Sequence, residues 1–321
     1  MIRSSSRSWR LGLALSLTTA VLWGAVPLAM VPLVAAVDAV TISWFRFVGS
    51  GLMLLALIAA SGNLRRPRRI APVAWWLFGL AVLTLVGNYV LYVSSLRYIG
   101  APVAQTVVQL APVLLMLGSL WLFGERFTWL QWTGFMVLVT GIVGFCAERL
   151  RLTGSGVDVF GTGVLLMVLA ALLWAVYGLA QKRLLHFLPS QIVLLGIYLA
   201  GGMVMLPAAS PRDLLHLDTV QVALLVFLAL NTLIAYGAFA EALNHWDSSK
   251  VSAVLAVQPL TTLFGAHLLG VWLPLQFPQT TLTPAVLFAS LVVVVGSVFC
   301  ALGGQLGARP PRGPDRSSGS D

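Results

Sequence analysis

Charge is what this sequence has least of. Asp, Glu, Lys and Arg make up 9% of its 321 residues while 59% are hydrophobic, against roughly 25% charged in an ordinary soluble protein. That is too little polar surface to keep a globule in water, and a water-soluble fold is excluded. Cysteine is almost missing as well, with two in the chain. There is no GxxxxGK[ST] loop to hold nucleotide phosphates, no HExxH or cysteine–histidine cluster with metal spacing, and no GxSxG nucleophile turn. These absences predict a chain with no cofactor, no metal and no ATP-hydrolysing domain.

What is present is a series of apolar runs. In lipid every backbone N–H and C=O must be satisfied within the segment, and runs of about 20 residues fit helices, whereas barrel strands would alternate in polarity over about 10 residues. The expected fold is an all-α membrane protein with ten transmembrane helices: Leu11–Val34, Val40–Ala60, Pro72–Ser95, Ala101–Phe123, Leu130–Ala147, Gly161–Gln181, Ser190–Leu206, Val220–Leu243, Val251–Gly270 and Leu282–Gly303. The first run is preceded by Arg3, Arg7 and Arg10 and exceeds the 7–15 apolar residues of a signal peptide, so it reads as an uncleaved span.

The second half echoes the first. Tyr89–Pro112 aligns without a gap to Tyr236–Pro259 at a constant offset of 147, sharing Tyr, Leu, Val and Pro. An odd number of crossings per copy turns the second copy upside down, the inverted-repeat arrangement of secondary transporters. The expected organisation is a segment 1–10, a five-helix repeat 11–147, an external linker 148–160, a second repeat 161–303, and a disordered tail 304–321 rich in Gly, Pro, Arg and Ser.

Most of the nineteen basic residues, including Arg65, Arg66, Arg68, Arg69, Arg126, Lys182, Arg183 and Lys250, become cytoplasmic if both termini are inside, as cytoplasmic loops retain positive charge. The net charge of +9 is then a topology signal, with membrane lipid rather than nucleic acid as the partner of the Arg65–Arg69 cluster. Cys146 and Cys300 end the two repeats on opposite faces of the membrane, beyond bridging distance, and are expected as two unpaired thiols.

Several motifs together resemble the drug/metabolite transporter superfamily, specifically proteins with two EamA-type domains. They are the early tryptophan of each repeat (VLWGAVP at Trp23, LLWAVYG at Trp174), Arg46 in SWFRFVGSG, and QLAPVLLMLGSLWLFGERFTWLQWTGF followed by Gly141. The resemblance spans about residues 12–146 and 162–300. It implies ten helices, cytoplasmic termini, a central cavity between the halves, and transport of a small metabolite or drug. Two departures stand out. The second copy lacks the GER-like turn and carries VWLPLQFPQTTLTP instead, and Arg46 has no basic counterpart, since the equivalent step from Trp174 reaches Ile197.

Polar groups inside spans are the candidates for function. Arg46 either faces a wet cavity and attracts an anionic group or a carboxylate, or serves as a packing or outer-interface arginine. Gln105 with Gln109, and Asn88 with Tyr92, lie one helical turn apart on common faces. With Trp23, Trp174, Tyr177, Asn231 and Gln258 they are candidates for a cavity with aromatic walls and orienting amides, interhelical hydrogen bonding being the competing use. Glu241, the one acidic residue placed within a span, is the candidate for proton coupling, with a headgroup-region charge as the alternative. Glu125 reads as a structural turn beside Arg126. Pro112 and Pro259 occupy equivalent mid-helix positions as hinge candidates, each removing a hydrogen bond to the carbonyl at Val108 or Leu255. Ser16, Ala20 and Gly24 read as a helix contact face.

The function expected is a secondary carrier in the bacterial inner membrane that exports small metabolites, such as amino acids or related solutes, by alternating access. Multidrug or cation efflux is the alternative, and a membrane-embedded enzyme the reading from another class. Whether the carrier is a monomer or a homodimer is left open by the sequence.

Overall fold

The computed structural model describes residues 6–61, 71–123, 128–154, 156–246, 248–275 and 277–306. The Arg65–Arg69 cluster, Glu125, Arg126 and the tail from residue 307 lie outside them. Eleven α-helices account for nearly all the described residues: α1 Ser6–Ala36, α2 Ala39–Ala60, α3 Pro72–Val107, α4 Leu110–Phe123, α5 Trp129–Thr153, α6 Val157–Leu184, α7 Ser190–Met205, α8 Thr219–His245, α9 Ser248–Leu255, α10 Gln258–Trp272 and α11 Pro284–Leu306. Short 3-10 turns at Leu206–Ala208 and Pro211–His216 join α7 to α8. Nine stretches among the described residues are long and apolar enough to cross a membrane.

Helix ends follow local chemistry. Asp38 caps α2 by accepting from the N–H groups of Val40 at 2.8 Å and Thr41 at 3.0 Å. Thr128 with Gln131, and Asp218 with Gln221, form reciprocal capping boxes at the starts of α5 and α8, each satisfying donors that the first turn leaves unpaired. Pro72 opens α3, where its missing N–H costs nothing.

Three interruptions shape the bundle. Gly100 within α3 has φ 67° and ψ 171°, a conformation open in practice only to glycine, and it divides the 36-residue run between Ser95 and Ala101, where the sequence places a span boundary. The expected fourth span is broken at Val108–Gln109, between α3 and α4. The expected ninth is broken at Ala256–Val257, between α9 and α10. Each break sits just before a proline, Pro112 or Pro259, whose ring obstructs continuation from the preceding turn. One detail differs from expectation: the Val108 carbonyl is not freed, because the Ala111 N–H donates to it at 2.8 Å. The early turn of α4 absorbs the acceptor that Pro112 cannot use.

Helices pair along their lengths. The dominant packing joins α3 to α6, α5 to α11, and α1 to α8, followed by α2 with α7. Pairing of α5 with α11 is antiparallel: Cβ atoms added at Gly134, Gly141 and Gly303 would meet Cys300, Val293 and Gln131 respectively. Glycine is required there because the backbones touch; a Cβ at Gly296 would collide with Leu138 N and lie 2.6 Å from Leu138 Cα. On α1, Ser16 and Ala20 are buried, and Gly24 faces the Thr261 side chain and Gln258 carbonyl of α10, so the small-residue face is a helix contact. Cys146 and Cys300 are both free thiols. Cys300 packs beside Gly134, so the twelve residues from there to Cys146 put the sulfurs about 18 Å apart along the antiparallel pair.

The apolar interior forms one large cluster running through Met30, Leu33, Ile42, Val103, Leu138, Phe145 and Val293. A second gathers Phe47, Leu85, Tyr89, Tyr177, Ile197 and Tyr198. Large apolar side chains elsewhere, among them Trp76, Leu83, Met136 and Phe288, stand exposed, as expected of surfaces that face acyl chains.

Candidate functional site

A cavity of about 560 Å³ lies where the interrupted helices meet, within the range of small-molecule sites. Of the ten cavity residues expected from sequence, nine line it: Trp23, Arg46, Asn88, Tyr92, Gln105, Gln109, Trp174, Asn231 and Gln258. Tyr177 does not; it is buried in the second apolar cluster, against which Trp174 also packs. Pro112 lines the cavity while Pro259 is buried behind it.

Arg46 is 6% exposed. Its Nη2 donates to Thr232 Oγ1 at 3.1 Å, and its guanidinium carbon sits 4.5 Å from the centre of the Tyr89 ring. An arginine at bilayer depth costs about 2.5–3.5 kcal/mol on insertion scales. A desolvated cation–π contact offsets about 2 kcal/mol of such a cost, and a hydrogen bond to a charged group about 1.5–3 kcal/mol. The outer-interface reading of Arg46 gives way: its head is turned into the bundle. Nε has no hydrogen-bond partner although it is buried, and no carboxylate lies among the described lining residues.

Amides form the second polar feature. Tyr92 donates its hydroxyl to Gln105 Oε1 at 3.1 Å, and Gln105 Nε2 donates to Gln258 Oε1 at 2.8 Å. Gln109, one turn beyond Gln105, has its Nε2 buried without a partner. The two asparagines combine lining and bracing. Asn88 Nδ2 donates to the Ala170 carbonyl of α6, and Asn231 Nδ2 to the Leu22 carbonyl of α1, both at 2.8 Å. The latter bond turns Asn231 Oδ1 toward the interior, buried and without a partner.

Aromatic rings make one wall. Trp23 packs edge-on to Tyr236 at 5.2 Å and tilted against Phe239 at 5.4 Å between ring centres. Glu241 does not reach the cavity: its side chain is 54% exposed near the end of α8, with Oε1 3.0 Å from His245 Nε2.

The sequence reading passed over Tyr89, Thr232, Tyr236, Phe239, Gln131, Ser252 and Ser297, all of which line the cavity. For Tyr89 and Tyr236 a signal was present, as they open the two aligned stretches at offset 147. Tyr92 and Phe239, Gln105 and Ser252, Val108 and Leu255, Gln109 and Ala256, and Ala111 and Gln258 keep the same offset, and every one of them lines the cavity.

A helical membrane bundle with an amide- and aromatic-lined cavity among broken helices is built as transporters are. The chain is a member of the EamA-like transporter family, whose model matches residues 10–146 and 161–302. It is 34% identical over 296 residues to an uncharacterized transporter of Haemophilus influenzae, covering 92% of this chain and 96% of that one. It is 36% identical over 298 residues to the uncharacterized inner membrane transporter YhbE of Escherichia coli, covering 92% of each. A solved crystal structure, 21% identical, superposes with a TM-score of 0.64 over 92% of this chain and 98% of that one, a likeness of fold.

Proposed function

We propose that this protein is a secondary carrier that exports small organic metabolites through the central cavity by alternating access. In this reading the bundle makes ten crossings. Gly100 separates the third from the fourth, and Ala101–Val107 with α4, like α9 with α10, forms one broken span. The second five helices are the first five inverted, and both termini face the cytoplasm.

The observation that carries the reading is the cavity wall itself. Six residue pairs separated by 147 positions, from Tyr89 with Tyr236 to Ala111 with Gln258, line one space, as two copies related by a two-fold axis in the membrane plane would. Packing supports the same axis: α3 on α6 corresponds to α8 on α1, and the α5–α11 and α2–α7 pairs map onto themselves. Broken helices near the midplane are where inverted-repeat carriers bind substrate. The export direction rests on the resemblance to the drug/metabolite superfamily. Cation efflux is less well served, because the described lining offers a guanidinium and no carboxylate.

Reconstituted vesicles challenged with a metabolite panel, with and without a pH gradient, test the proposal. A carrier gives saturable exchange of some panel member across the bilayer. Chemical conversion without vectorial flux would instead make the protein an enzyme.

A further inference from the structure

We infer that the cavity takes an organic monoanion, with its carboxylate held by Arg46 and its apolar body against the Trp23, Tyr236 and Phe239 wall. The inference rests on the carrier reading above and names the substrate class for that site.

The charge of the cavity is asymmetric. The cavity is built from equivalent positions of two repeats, yet its charge is one-sided: Arg46 lines it, while the equivalent position is Ile197, fully buried away from it. A two-fold framework with a cation at one pole binds a molecule that is itself polarised, with an anionic end and an uncharged end.

Arg46 is also held without being neutralised. Thr232 and the Tyr89 ring fix its position, but neither carries a formal negative charge, and the described lining contains none. An arginine in a low-dielectric bundle is strongly favoured by an anion within reach, because the partner restores what desolvation removed. Guanidinium donors suit a carboxylate in particular, whose two oxygens match the planar fork.

The unpaired polar atoms on the lining are two donors, one acceptor and the Ser297 hydroxyl, which can do either. Arg46 Nε and Gln109 Nε2 are buried donors without partners, both on lining residues, and buried donors left unpaired are costly unless a ligand accepts from them. Asn231 Oδ1 is the complementary acceptor, suited to one neutral N–H or O–H elsewhere on the substrate. The ring cluster supplies the surface for the body, an aromatic or branched apolar group. A cationic group would meet Arg46 as a like charge, with no described carboxylate to receive it.

The test is a matched charge series on the purified full-length protein. Monocarboxylates with benzyl, indolyl and branched aliphatic bodies are compared with their neutral amides and corresponding amines, by calorimetric binding and by counterflow in vesicles. At least one carboxylate is expected to bind saturably, at least tenfold more tightly than its amide, with its amine weakest. Arg46→Gln should weaken that carboxylate tenfold or more and narrow its advantage over the amide, and Arg46→Lys should recover part of the loss. Amines or amides binding as well as carboxylates, or no carboxylate binding at all, would overturn the inference even if Arg46→Gln failed to fold, because the series is read on the unaltered protein. If carboxylates bind as expected but no compound of any charge exchanges across the bilayer, the carrier reading fails and the anion site stands.

Discussion

Gln105 and Gln258 share a hydrogen bond of 2.8 Å from amide to carbonyl oxygen, joining the segment after Gly100 to the first turn of α10. It ties the two interrupted stretches together at the cavity, so that a movement at one break is felt at the other. Both side chains are buried and both line the cavity.

Gln105→Ala and Gln258→Ala should therefore be coupled. Interhelical side-chain bonds in membranes average about 0.6 kcal/mol, with a maximum near 1.7 kcal/mol. A double-mutant cycle on thermal unfolding in detergent is expected to return a coupling in that range. Strictly additive losses would mean that the bond contributes nothing to the folded state.

The α5–α11 contact makes a steric prediction. Gly296→Val should destabilise by about 1–3 kcal/mol, because backbone atoms of Leu138 and Gly134 occupy the space and cannot swing aside. Gly79→Ala, in α3 with nothing within 4 Å of the added Cβ, should be neutral or stabilising by up to about 1 kcal/mol, as a helical glycine is replaced by a better helix former. Parallel melting curves of the two variants measure both.

Pro112→Ala and Pro259→Ala restore an N–H that allows the preceding turn to continue. Each is expected to straighten its broken span and slow exchange severalfold, with a smaller change in substrate half-saturation, since the lining groups themselves remain. Initial exchange rates over a range of substrate concentrations separate the two effects.

Much of the site was legible because polarity is rare in this chain. With so few polar residues inside apolar runs, Arg46, Asn88, Gln105, Gln109, Asn231 and Gln258 stood out individually, and the cavity gathers them all. Tyr177 differs from expectation because the Phe47, Tyr89 and Tyr198 cluster buries it, while Trp174, one turn away and packed against the same cluster, also reaches the cavity. Glu241 stands away from the cavity for another reason. Hydropathy shows that a carboxylate is near an apolar run, but not that the helix end carries it outward beside His245. The breaks at Val108–Gln109 and Ala256–Val257 were signalled by their prolines, whereas the close α5–α11 approach was written only as scattered glycines, whose partners are far off in sequence. Thr232 and Phe239 carried no signal of their own, and Phe239 emerges only when the offset of 147 is carried onward from Tyr92.

Glu241→Gln bears on energy coupling. Its side chain is half exposed and away from the lining, so the variant is expected to keep the pH profile of exchange unchanged. Loss of pH dependence in vesicle flux would make Glu241 the proton-coupling group.

Access to the cavity from alternate sides is the most direct thing to measure. With Cys146 and Cys300 replaced by alanine and a single cysteine introduced as Ser252→Cys, a membrane-impermeant maleimide is added to one side of sealed, oriented vesicles at a time. The account predicts labelling from each side separately, slowed by saturating substrate, without ionic leak through the protein. Labelling confined to one side under every condition, with and without substrate, would contradict it.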